Sequence, residues 1–351
     1  MRNETIGAAS LLLVGTIGQS VWRSEDDGAT WQRGKGDLFI ESDVRALLSI
    51  GQDRILAGAD DGVYLSSDAG RSWARLGGFP VGYQVWTLAR TQRPHGSGGR
   101  LWAGTCPAAL FYSDDGGDSW NEAPARWLRT CANGSIRVRI TSFLSDGDRC
   151  WAGAEIDGAQ ESMDGGDTWT FCSEGLGSLD IHSLARVGSS LVAATNAGIF
   201  YRPEEGGAWS AMDTGRFQWQ YCRSVVEDNG ALIVGNGNGP PGSGGAIWGT
   251  TDLGKTWSQQ TLSGPANSTI WQVVVSPDGA WAYSVLGQLF RRETDGVWRK
   301  LPHEFGEMRA LCVPASTTRL KSAGSVPVMV APIIGDSGAS DQHRWTYAGM
   351  Y

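Results

Sequence analysis

Five arginines fall at matching positions when seven similar β-rich runs of this 351-residue chain are laid on one another. The runs are Val44-Arg-Ala-Leu-Leu48, Val85-Trp-Thr-Leu-Ala89, Val138-Arg-Ile-Thr-Ser142, Ile181-His-Ser-Leu-Ala185, Cys222-Arg-Ser-Val-Val226, Trp271-Gln-Val-Val-Val275 and Met308-Arg-Ala-Leu-Cys312. Their second position reads Arg45, Trp86, Arg139, His182, Arg223, Gln272 and Arg309; two residues earlier stand Asp43, Gln84, Arg137, Asp180, Tyr221, Ile270 and Glu307. Side chains alternate across a strand, so these two rows share a face. The residues between the rows are mostly Val, Ile, Met or Cys, as a packed face requires. A guanidinium fork matches a carboxylate or phosphate, and burying several without partners is very costly. Either the arginines pair with Asp43, Glu155, Asp180 and Glu307 as an ion-pair plug, or some stay free to grip an anion.

On the second alternative the chemistry is acid/base chemistry on a small anionic molecule. Arg139, Arg223 and Arg309 would hold the anion, with Arg45, Arg137 and Gln272 beside them. Glu155, Asp180 or His182 would move protons, and Tyr221 would assist. Trp86 and Trp219 supply aromatic walls. The stretch Asn236-Gly-Asn-Gly-Pro-Pro-Gly-Ser-Gly-Gly245 is an insertion relative to the other units, expected over the mouth of the site as a lid. No metal is expected: of His95, His182, His303 and His343 only His182 falls on the two rows, and the six cysteines show no zinc spacing. Cys150 and Cys172 could meet within one unit, but free buried thiols are expected. No cofactor fingerprint or P-loop appears.

The elements that must position these residues are marked by a second repeat, Ser/Thr-x-Asp-x-Gly-x-Thr/Ser-Trp. Good copies end at Trp31, Trp73, Trp120, Trp169 and Trp257, and eroded ones at Trp209 and Trp298. The successive spacings are 42, 47, 49, 40, 48 and 41 residues. One turn motif per unit at such a period means a β-propeller. An Asp among small residues folds a turn by accepting backbone N–H bonds, and the Gly two residues on takes positive φ. Asp26, Asp68, Asp115, Asp164 and Asp252 therefore read as structural. The expected fold is all-β: a single domain over residues 1–351, a seven-bladed propeller of four-stranded blades. Its ring closes by pairing the N- and C-terminal strands, which removes exposed edges. Val326-Pro-Val-Met-Val-Ala331 and Arg344-Trp-Thr-Tyr347 read as further strands without a place in that scheme.

The motif resembles the Asp box, or BNR repeat, of sialidase-like and glycosyl-hydrolase-like bacterial propellers, and the resemblance covers nearly the whole chain. It implies that the boxes lie on the face away from an active site. Sialidases grip a carboxylate with three arginines beside a Tyr/Glu pair and an Asp. This chain has those residue types near one axis but seven units rather than six, and Arg139-Ile-Thr141 is the nearest text to an Arg-Ile-Pro motif, so sialidase activity is not carried over. Two function classes follow. The first is a hydrolase or lyase, without redox cofactor, acting on a small carboxylate-bearing molecule or sugar acid at the central channel. The second is a non-catalytic scaffold for protein–protein or glycan binding.

Composition bounds the partners. Net charge is −8 with no basic run, so nucleic acid is not expected. No stretch is long enough to span a membrane. Met1-Arg-Asn-Glu followed by Ile6 to Ile17 imitates a short signal peptide. However, Leu11-Leu-Leu-Val-Gly15 and Ser20-Val-Trp-Arg-Ser24 match Ile55-Leu-Ala-Gly58 and Gly62-Val-Tyr-Leu-Ser-Ser67, so the apolar run is read as a blade strand and the location as cytoplasmic. Removing residues 1–19 should then give insoluble or unfolded protein; recovery of a soluble, β-rich truncation by circular dichroism would restore the leader reading.

Overall fold

The computed structural model describes residues 9–51, 53–92, 99–132 and 134–315. The stretches 326–331 and 344–347, together with His95 and His343, lie outside the described residues. The chain forms seven sheets arranged as seven blades, each of four antiparallel strands; the blade-1 sheet gains a fifth, two-residue strand, Lys35–Gly36, parallel to Ser72–Arg75. Blades 1 to 6 open on inner strands Val44–Gly51, Gln84–Thr91, Arg139–Asp146, Ile181–Val187, Tyr221–Asp228 and Ile270–Ser276. Blade 7 joins the two ends of the described chain. Its inner strand Met308–Cys312 pairs with Leu12–Thr16, which pairs with Val21–Ser24, which pairs in turn with Gln32–Arg33. Leu11 to Gly15 thus supplies a strand that the ring needs. Among the described residues no helix is long and apolar enough to cross a membrane.

The core lies between blades. Leu56 and Val63 of blade 1, for example, pack with Val85, Leu101 and Trp120 of blade 2. Crowding at the inner strands explains the small residues that end the second strands. A Cβ on Gly58 would lie 2.5 Å from Val85 of the next blade; on Gly104, 2.6 Å from Ile140; on Gly153 and Gly235, 2.7 Å from Ile181 and Ile270. Each glycine receives the β-branched residue of its neighbour, and any side chain there would push two blades apart. Blades 4 and 6 depart from this rule: Ala194 occupies the equivalent place opposite Ser183, and Tyr283 opposite Gln272.

The five good turn motifs share one geometry. In blade 1, Asp68 Oδ1 accepts the Ser72 N–H at 2.8 Å and the Ser66 hydroxyl at 2.8 Å, while Oδ2 accepts the Ser72 hydroxyl at 2.6 Å. Ser66 Oγ accepts the Gly70 N–H at 2.7 Å, and Gly70 has φ +83° with Leu13 of blade 7 2.4 Å from its missing Cβ. The hydroxyl and amide bonds hold the Asp26 and Asp252 carboxyls at about 2, below their ordinary 3.8. The six cysteines are free thiols. Asp68→Ala leaves one turn amide and two hydroxyls short of an acceptor, and should cost roughly 1–3 kcal/mol in urea denaturation. Burial raises the Asp68 carboxyl, but its Ser72 and Ser66 bonds outweigh that and hold it below its ordinary 3.8 too, so its support is present above pH 3.8 and is lost as pH falls below that value. The deficit of the variant should therefore shrink in acid; a deficit that is the same at pH 7 and pH 3 would show that the carboxylate is not what holds the turn.

Candidate functional site

Every inner strand carries a β-bulge, visible as a break in register against its second strand. The seven extra residues are Arg45, Trp86, Thr141, His182, Arg223, Trp271 and Arg309. A bulge re-aims a side chain, and here it produces stacks across blades. Arg45 and Arg139 lie 4.9 and 4.3 Å from the Trp86 ring centroid; Arg223 and Arg309 lie 3.7 and 4.5 Å from that of Trp271. Five of the seven positions agree with the row read from the sequence. In blade 3, Thr141 takes the place expected for Arg139, which lies one pleat earlier in the row of Asp43, Gln84, Asp180, Tyr221 and Glu307. In blade 6, Trp271 takes the place expected for Gln272.

The position after the bulge has its own role. Ser142 Oγ accepts the Leu184 N–H at 2.9 Å, Ser183 Oγ the Val225 N–H at 3.1 Å and Ser224 Oγ the Val273 N–H at 3.0 Å. Gln272 Oε1 accepts the Leu311 N–H at 3.3 Å in the same series. Gln272 is therefore an inter-blade tie, fully buried, rather than an open contact. Arg137 sits further out, exposed on the connection into blade 3.

Carboxylates answer the arginines. Arg45 pairs with Asp43 at 3.1 Å and Asp60 at 2.9 Å. Glu155 takes Arg139 on one oxygen and Arg223, at 3.0 Å, on the other; Arg309 pairs with Glu307. Tyr221 Oη accepts from Arg223 at 2.9 Å. Arg45, Arg137, Arg139, Arg223 and Arg309 thus face an equal number of acids in Asp43, Asp60, Glu155, Asp180 and Glu307. Arg137 alone of the five has no carboxylate partner among the described residues.

These pairings fix protonation. Burial pushes the Glu155 carboxyl up, but the Arg223 and Arg139 guanidiniums outweigh it and hold it at about 2. Glu155 is a permanent anion at neutral pH and no proton donor. Burial lowers the His182 imidazole, Arg223 lowers it further, and Asp180 opposes both. Its Nδ1 lies 2.6 Å from the Cys222 carbonyl, which can only accept, so Nδ1 carries the proton and Nε2 faces Asp180 Oδ2 at 3.4 Å. Burial raises the Tyr221 phenol against Arg223, keeping it protonated. Glu155, Asp180 and His182 offer ligand atoms within 4.8 Å of one another. Both Glu155 oxygens are already held by guanidiniums, so a divalent cation would have to displace an arginine and then sit beside positive charge. The donor set does not fit a metal.

Trp219 lies away from the bulge ring, beside the 236–245 insertion. That insertion is pinned rather than loose. Asn238 Oδ1 accepts the Ser243 and Gly244 N–H groups at 2.8 and 3.1 Å, and Thr269 bonds Gly239 O and Pro241 O at 2.6 and 3.0 Å. Asn236 Nδ2 donates to Trp219 O at 2.7 Å. The stretch expected as a lid is a fixed wall between blades 5 and 6.

One feature was not legible in the sequence. Nine large hydrophobic side chains are exposed among the described residues. Seven of them, Phe39, Ile40, Val81, Leu128, Ile136, Leu179 and Leu286, lie on connections from a fourth strand to the next inner strand or from a second strand to a third. In an antiparallel four-stranded blade both kinds of connection emerge on one face, opposite the Asp turns. Only Met163, in an Asp turn, and Phe171, on an outer strand, lie elsewhere.

No protein-family model and no curated protein matches the chain. Solved structures do match in fold. An ancestral GH74 enzyme superposes with TM-score 0.58 at 14% identity over 88% of this chain, which spans only 40% of that chain. The Niastella koreensis GH74 enzyme gives 0.57 at 16% identity over 84% of this chain and 54% of its own. YCF48 bound to D1 peptide gives 0.53 at 14% identity over 81% of this chain and 94% of its own. Identities this low establish the propeller fold alone, and a fold does not fix a function.

Glu155→Gln removes a buried carboxylate shared by two guanidiniums and should destabilise by about 3–5 kcal/mol in urea denaturation. The Glu155 contribution is present above its ordinary 4.5 and is lost as pH falls through about 2. A variant as stable as the parent at pH 7 would show that the arginines do not depend on Glu155.

Proposed function

We propose that the chain is a binding propeller that docks a protein or peptide partner on the face opposite its Asp turns. The distribution of exposed apolar side chains carries this reading: seven of nine lie on that face. Exposed apolar surface on one face is what a fold presents to a partner that covers it. The channel supports the reading, because its guanidiniums are neutralised from within and Glu155 is held without a proton to give. The size relation also favours it, since this chain spans 94% of YCF48 bound to D1 peptide but 40% of the ancestral GH74 enzyme.

A second reading keeps the mouth of the channel as a site for a small carboxylate-bearing molecule or sugar acid, with hydrolase or lyase chemistry. Arg137, which lacks a carboxylate partner among the described residues, favours it. So does Asp180 Oδ1, which is buried without a hydrogen-bond partner. The sialidase-like resemblance of the Asp motif and a cytoplasmic location belong with these proposals.

The two readings separate in one pair of measurements. A photoreactive benzoylphenylalanine placed at Phe39, Val81 or Leu128 should cross-link one common partner in the source cells. The same group at Met163 or Phe171 should not. Citrate should leave the melting temperature unchanged. Equal cross-linking from both faces would overturn the docking reading. A citrate-dependent rise in Tm, lost in Arg137→Ala, would put the small-anion site in its place.

A further inference from the structure

The wall built by the 236–245 insertion borders an open groove of about 750 Å³ on the same face, between blades 5 and 6. Its volume falls within the usual range for small-molecule sites, about 300–1,000 Å³. The groove is lined by Trp219, Ser243, Gln259, Gln260, Thr261 and Leu262 with backbone from Gly244 to Gly245 and Gly264 to Ala266. We infer that this groove binds a short neutral saccharide.

Charge is the first argument. Among the described lining residues none is charged, in a chain with 66 Asp, Glu, Lys and Arg residues (37 acidic and 29 basic). A site for an ionic ligand would place an opposite charge in reach; this one offers none. What it offers is two carboxamides, two hydroxyls and backbone groups, which donate and accept without net charge. That is the pairing set a row of sugar hydroxyls needs. The half-buried Trp219 indole supplies an apolar face of the size of a pyranose ring.

Preorganisation is the second argument. Asn238 holds Ser243 and Gly244 in place, and Asn236 holds the Trp219 carbonyl. A Cβ on Gly244 would lie 3.0 Å from the Trp219 ring, so the wall packs directly on the indole. Gln260 N donates to Ile247 O at 2.8 Å, while its side-chain amide lies over Gly249, where a Cβ would come within 2.8 Å of Nε2. The glycine leaves room for that carboxamide. A mobile surface loop would have none of these restraints.

This inference does not rest on the protein-docking reading, because it uses none of the exposed apolar residues. The probes are cellotriose, maltotriose and xylotriose at millimolar concentration, followed by saturation-transfer NMR and titration calorimetry. At least one should bind saturably. Trp219→Ala should weaken it by at least about tenfold, as for an aromatic anchor. Thr261→Arg, at an exposed position, should block the groove without touching the fold and decides the matter if Trp219→Ala is unstable. Met163→Ser, on the opposite face, should change nothing. Absence of saturable binding by all three sugars, or binding that survives Thr261→Arg, overturns the inference. Binding of decaproline in place of the sugars overturns it equally, since a polyproline helix would then be the occupant.

Discussion

Seven sheets converging on one axis leave almost no room between their inner strands. That crowding is the constraint from which the rest follows. It demands glycine at Gly58, Gly104, Gly153 and Gly235, where Val85, Ile140, Ile181 and Ile270 of the following blades press within 2.5 to 2.7 Å of a would-be Cβ. It also accompanies a bulge in every inner strand, which turns one side chain per blade out of the regular pleat. In four blades the residue after the bulge then reaches the next blade: Ser142, Ser183, Ser224 and Gln272 each accept a backbone N–H from their neighbour. Close approach of blades, inter-blade hydrogen bonds and the ring of bulge side chains are one arrangement seen three ways.

The ring brings arginines together, and their charge has to be answered. Glu155 answers two of them, Asp43 and Asp60 answer Arg45, and Glu307 answers Arg309. Trp86 and Trp271 add a ring face to each pair of guanidiniums. The cost of this solution is catalytic freedom. A carboxylate held at about 2 by two guanidiniums is a poor acid at neutral pH. An imidazole whose burial and Arg223 neighbour both disfavour the cation is poorly placed to receive a proton. The centre of the molecule is thereby stiff and electrically balanced, while the apolar and uncharged polar side chains suited to recognition sit on the connections around it. Connections can vary without disturbing the ring, so a propeller tolerates change there that its inner strands do not.

What the chain determined locally was legible from the start. The Asp turns close within eight residues, through bonds such as Asp68 to Ser66 and Ser72, so their text announces them wherever they fall. Their spacing counts the blades, and the match of Leu11 to Gly15 with Ile55 to Gly58 locates the closing strand. Arg45, His182, Arg223 and Arg309 were likewise placed by simple alternation. Three things waited for the tertiary structure. The bulge adds one residue to a strand without any local signature, so Thr141 and Trp271 displaced Arg139 and Gln272 from the ring. The pair of Glu155 with Arg223 spans 68 positions and no local pattern announces it, whereas Arg45 with Asp43 and Arg309 with Glu307 pair two positions apart along one strand face. The gathering of Phe39, Val81, Leu128 and Leu179 on one face depends on how successive blades are stacked. Hydrogen bonds inside a turn are decided by neighbours in the chain; register, charge pairing and surface are decided by neighbours in space.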